Sequence, residues 1–131
     1  KDGSIKAQLG VPDMKIPIQY ALTYPRHLSS KWERLDFKTI GDLTFEAPNF
    51  ERFPCIKLAY DVLEKMGTAP AVLNFANDYC VYRFLREEIK FTDIPRIIED
   101  ALGNHSWRKN PKLEDIKNLD YWTKDFVNNF D

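Results

Sequence analysis

A mainly α-helical chain is what the sequence predicts: an edge strand and a long linker, then a four-helix bundle over residues 54–131. Three observations carry that reading. Apolar residues recur at helical spacing through the second half, glycines fall between those runs, and prolines interrupt the first half.

Composition narrows the class of protein. The 131 residues, 44% apolar and 14% aromatic, are enough to build a core. Nineteen basic residues against twenty acidic ones leave a net charge of -1, so no positive field is available for a phosphate backbone and no nucleic-acid partner is expected. No apolar run reaches the ~20 residues of a bilayer span, and the chain reads as soluble with no membrane partner. Cys55 and Cys80 both lie in helical stretches among apolar residues and are expected to be buried free thiols.

Residues 3–11 alternate Ile5, Ala7 and Leu9 with Ser4, Lys6 and Gln8, the period of a half-buried strand. A single strand cannot satisfy its own backbone groups, so its sheet is expected elsewhere. The chain starts Lys1-Asp2-Gly3-Ser4 and reads as the continuation of a longer polypeptide. Residues 10–13 turn, and Met14 to Tyr24 suit a short helix with Pro17 in its first turn. From Pro25 to Pro54 the apolar spacing is irregular and no helix or long strand is evident. Trp32, Leu35, Phe37 and Phe45 nevertheless require this linker to lie against a surface.

The bundle begins after Pro54, where Ile56, Ala59, Tyr60 and Leu63 mark one helix and Gly67 its left-handed cap. A second helix over residues 70–88 has two apolar faces, Leu73, Ala76, Cys80 and Phe84 on one and Val72, Phe75, Tyr79 and Tyr82 on the other. Such a helix belongs in the centre. Thr92 caps a third, with Ile94, Ile97, Ile98, Ala101 and Leu102 inward and Gly103 as the stop. The last carries Leu119, Trp122, Phe126 and Phe130, and its start lies either at Asn110-Pro111 or at Asp120. The chain thus divides into residues 1–24, a linker 25–53 and the bundle 54–131.

Within those elements no catalytic group stands out. His27 and His105 have no Cys, Asp or Glu at ligand spacing and read as surface histidines. Glu87-Glu88 and Glu99-Asp100 are adjacent pairs pointing in different directions, and Gly67-Thr68-Ala69-Pro70 lacks the preceding strand of a phosphate loop. Asn74, Asn77 and Asp78 put polar groups into an apolar helix. They form either a substrate-binding patch or, preferably, hydrogen bonds to the ends of neighbouring segments.

The order of short motifs is informative where single residues are not. Ala7-Gln8-Leu9-Gly10, Pro12-Asp13-Met14, Tyr24-Pro25, Phe53-Pro54-Cys55, Leu58-Ala59-Tyr60, Gly67-Thr68-Ala69-Pro70-Ala71-Val72-Leu73-Asn74 and Phe91-Thr92-Asp93-Ile94-Pro95 resemble, in this sequence, the 1-deoxy-D-xylulose 5-phosphate reductoisomerase family. The resemblance covers residues 2 to about 102 and is loose from Asn104 onward. Phe75, Asp78 and Tyr79 depart from the small or acidic residues the family more often has there.

The resemblance implies an α/β parent with an amino-terminal Rossmann-type NADPH domain, a central catalytic domain whose end is residues 1–24, and a carboxy-terminal helical domain. It implies NADPH and Mg2+ or Mn2+ as cofactors, a sugar phosphate substrate, a homodimer, and a bacterial cytosol or plastid stroma as location. The family's Asp-x-Glu and Asn-Lys-x-x-Glu metal motifs do not occur in these residues, so no metal ligand and no catalytic residue is assigned here and no cofactor is expected to bind this part alone. Pro12 and Met14 match positions near the nicotinamide ring and the substrate, and the same Met14 read without the resemblance is a core methionine. The competing reading is a stand-alone helical interaction module.

Overall fold

The computed structural model describes residues 2–130, which hold six helices and, among these residues, no strand. The chain forms two units, Lys1–Glu46 and Ala47–Asp131.

In the first unit the predicted strand at residues 3–11 is not formed. A strand's alternation becomes a buried face only when a neighbouring strand completes the sheet, and the described residues contain none. Ile5 is 93% exposed and Leu9 47%. Helix α1, Lys15–Thr23, follows with Pro17 in its first turn as expected. The linker is not free of helix: α2, Phe37–Ile40, is started by the Asp36 carboxylate, which accepts the Lys38 N–H at 2.9 Å, and ends at Gly41.

The second unit is four helices: α3 (Pro54–Lys65), α4 (Ala69–Leu85), α5 (Asp93–Asn104) and α6 (Leu113–Asn128). Helix α4 packs against all three others. Its Ala69, Val72, Ala76 and Cys80 are fully buried, the last three in one core with Ile94, Ile97, Ile98 and Ala101 of α5 and Leu119 and Val127 of α6. Burying each large aliphatic side chain contributes about 1.5–3 kcal/mol. Neither predicted apolar face of α4 is fully used, since Phe84 on the first and Tyr82 on the second remain exposed.

The helix ends correct several sequence expectations. Thr92 makes no capping bond; the Asp93 carboxylate instead accepts the Lys90 N–H at 2.9 Å, because its side chain reaches back across the turn. Helix α5 runs through Gly103 to Asn104, and α4 stops at Leu85, three residues early, where Glu87 takes a positive φ. Helix α6 starts at Leu113, between the two alternatives, with the Asp115 carboxylate accepting the Lys112 N–H. Cys55 is exposed in the first turn of α3, whereas Cys80 is buried. Helical position alone did not decide which face Cys55 shares. The carbonyls of Val127 and Phe130, at and just beyond the end of α6, accept from the Arg83 guanidinium, which also pairs with Glu88 at 3.4 Å.

Residues 47–131 expressed alone should therefore fold into a helical domain that melts cooperatively, since α4 finds all its partners within that span. Circular dichroism checks this. A broad, gradual melt would mean that the four helices do not suffice.

Candidate functional site

The turn that carries both sequence-predicted site residues is built around Asp13. Its N–H donates to the Val11 carbonyl at 2.8 Å, while its carboxylate accepts the Lys15 N–H at 2.9 Å and pairs with the Lys15 ammonium at 3.5 Å. The hydrogen bond from the Lys15 amide holds the Asp13 carboxyl below its ordinary range. This local clasp starts α1 and was not singled out in the sequence, although an Asp two residues ahead of a helix is a recognisable signal. On either side of it Pro12 and Met14 are exposed, Met14 at 71%. Met14 is thus no core residue of its unit.

Beside this turn the first unit opens a cleft of about 1060 Å3, between residues 8–11, α1 and residues 27–37. Gly10 and Val11 line it; Pro12 and Met14 do not. Its floor is aromatic: Tyr20 stacks on His27 at 4.4 Å between ring centroids and meets Tyr24 edge-on at 5.7 Å. His27 stands at the surface, as expected, and is held by that stack. Glu33 and Arg34 supply its charges.

The polar groups of the second unit are mainly structural. Asn74 and Asp78 are exposed and Asn77 is half-buried, and among the described residues none of the three side chains makes a hydrogen bond. The expected bonding to neighbouring segments is absent, and Asn74 and Asp78 stand in solvent instead. Burial pushes the Cys80 thiol up to about 11, which leaves it a weak nucleophile. Tyr79 donates its hydroxyl to the Asp120 carboxylate at 2.7 Å, and that bond, helped by partial burial, pushes the phenol up to about 12. His105, expected at the surface, is buried at the end of α5. Its desolvation lowers its pKa, and the apolar side chains of α5 preceding it were the signal for burial. Among the described residues no three His, Cys, Asp or Glu side chains are grouped as a metal site.

Comparison with known proteins settles the family. The model of the DXP reductoisomerase C-terminal domain matches residues 9–126. The chain belongs to the DXP reductoisomerase family. It is 53% identical over 127 residues to the 1-deoxy-D-xylulose 5-phosphate reductoisomerase of Acetivibrio thermocellus, and 50% identical to that of Chloroherpeton thalassium. Those alignments cover 97% of this chain but 33% of each relative, so the chain spans about a third of their length. Among solved structures it resembles the reductoisomerase from Zymomonas mobilis in complex with NADPH, with a TM-score of 0.68, 39% identity, and coverage of 97% of this chain and 34% of that one. A DOX-P reductoisomerase structure with fosmidomycin and magnesium gives 0.69 at 36% identity, over the same shares of the two chains. The family match extends past Asn104, where the motif resemblance had become loose.

Tyr79–Asp120 lies within the matched span and has a measurable signature. A phenol whose folded value is raised is deprotonated first in the unfolded chain, so stability falls as pH rises from about 10 towards about 12. Tyr79→Phe should remove that alkaline loss, and should cost about 1 kcal/mol at neutral pH by leaving Asp120 without its donor. Urea unfolding across alkaline buffers reads both.

Proposed function

We infer that the chain serves as the carboxy-terminal part of an NADPH- and divalent-metal-dependent enzyme converting 1-deoxy-D-xylulose 5-phosphate to 2-C-methyl-D-erythritol 4-phosphate in the non-mevalonate isoprenoid pathway. The observation that carries this reading is the family match over residues 9–126, together with 53% identity over 127 residues to a 1-deoxy-D-xylulose 5-phosphate reductoisomerase. Solved relatives described with NADPH, fosmidomycin and magnesium support the cofactor assignment.

Within such an enzyme residues 1–24 would end the central catalytic domain, residues 25–53 would link, and residues 54–131 would form a helical scaffold. The NADPH and catalytic domains would lie upstream, and the whole would work as a homodimer in a bacterial cytosol. Pro12 and Met14 fit a place against the nicotinamide. Both are exposed from a turn pinned by Asp13, and a pyrrolidine ring and a thioether offer a flat ring apolar, polarisable surface that keeps water away. NADPH, when bound, supplies the hydride. No group of three metal-ligating side chains occurs among the described residues, so Mg2+ or Mn2+ would be held by upstream residues.

In the full-length enzyme, Met14→Ala should raise the barrier for kcat/KM by about 1 kcal/mol while leaving the melting temperature nearly unchanged. Wild-type kinetics with a lowered melting temperature would assign Met14 to packing instead. The 131-residue chain alone should bind neither NADPH nor Mn2+ at micromolar concentration, because on this reading the dinucleotide fold would lie in the two thirds of the enzyme it does not span. Calorimetric titration checks this, and micromolar heats would overturn it.

A further inference from the structure

The loop after α5 grips the α3–α4 turn by reciprocal hydrogen bonds. Thr68 N–H donates to the Arg108 carbonyl and Arg108 N–H to the Thr68 hydroxyl, each at 3.0 Å, while the Trp107 indole donates to the Met66 carbonyl at 3.2 Å. Arg108 also pairs with Asp115 of α6. At the root of this loop His105 is 7% exposed. Its Nδ1 lies 2.9 Å from the Leu102 carbonyl, which can only accept, so Nδ1 carries the proton of the neutral ring and Nε2 is the bare nitrogen. Nε2 is buried and has no partner among the described residues.

We propose that residues 105–108 are an acid-released latch on the α3–α4 turn, with the His105 ring as its trigger. A second proton has to go on Nε2, where it would create a buried, charged N–H with nothing to receive it. Burial opposes that proton most, and Lys65 at the end of α3 opposes it further with a like charge; the hydrogen bonds to the Leu102 carbonyl, which outweighs Lys65, and to the Ala101 carbonyl favour the charged ring without offsetting its burial. The charged ring is therefore relieved by leaving, and Trp107 and Arg108 leave with it. The way out is short: Trp107 is 42% exposed, and a cleft of about 290 Å3 lined by Thr68, Ser106, Arg108 and Trp122 flanks the loop. A ring kept neutral when closed is protonated first in the open form, so opening gains as pH falls through the ordinary histidine range and the latch is tightest above it.

Hydrogen exchange on the 131-residue chain tests this, following the amides of Thr68 and Arg108 relative to Ala76 within α4 so that intrinsic rates and global unfolding cancel. Relative protection should fall by up to about tenfold per pH unit below pH 6.5, then level off. His105→Asn keeps a donor for the Leu102 carbonyl but does not titrate, and should flatten the fall. Thr68→Val should lower protection by a constant factor at every pH with the slope unchanged. An equal fall in His105→Asn, or relative protection independent of pH in the wild-type chain, would overturn the proposal. Should His105→Asn fail to fold, the nitrogen chemical shifts of the wild-type ring decide: an Nδ1–H ring that gains its second proton as the two amides lose protection supports it, and an Nε2–H ring overturns it.

Discussion

The second unit depends on α4 being thin. Ala69, Ala76 and Cys80 carry side chains of no more than two heavy atoms and all three are fully buried, Ala76 and Cys80 within the core shared with α5 and α6. Larger side chains there would hold the neighbours apart and expose Ile97, Ile98 and Val127, whose burial the fold relies on. Close approach also brings Arg83 within reach of the carbonyls of Val127 and Phe130 and Tyr79 within reach of Asp120, so the polar links between α4 and α6 follow from the same small residues.

What the sequence disclosed and what it withheld divide along physical lines. Helices α3 to α6 were readable because an amphipathic stripe states its own partner: the residues that need burial lie on the helix that buries them. The strand expected at residues 3–11 failed because alternation describes a face, and a face is completed by a sheet that the described residues do not contain. Helix ends were misread where capping depends on which carboxylate swings back, as at Asp93 rather than Thr92. The exposure of Cys55 was misread because helical position alone does not say which face a residue shares, and the burial of His105 because its place after the apolar side chains of α5 was given too little weight. Of the candidate site, Pro12 and Met14 were identified through the order of surrounding motifs. The Asp13 clasp that presents them was overlooked, although its place two residues ahead of a helix was the signal for it.

The α3–α4 turn shows how a strained piece of backbone is kept in place. Met66 and Gly67 both have positive φ, 56 and 61 degrees, and such a conformation costs a residue like methionine about 1–3 kcal/mol. The Met66 N–H still reaches the Val62 carbonyl at 2.9 Å, and the bonds from Trp107 and Arg108 hold the far side of the turn. Strain and restraint are thus on separate segments.

Gly67 sits directly under the Arg108 carbonyl, and a β-carbon added there would overlap that oxygen. Every single-nucleotide change that alters a glycine codon introduces either a side chain or a stop, so this position has no neighbouring genotype that fits the loop as it stands. A lineage can change residue 67 only after the segment around residue 108, about 40 positions further along the gene, has already shifted. The two stretches are therefore bound to one another in inheritance, and their histories should be read together.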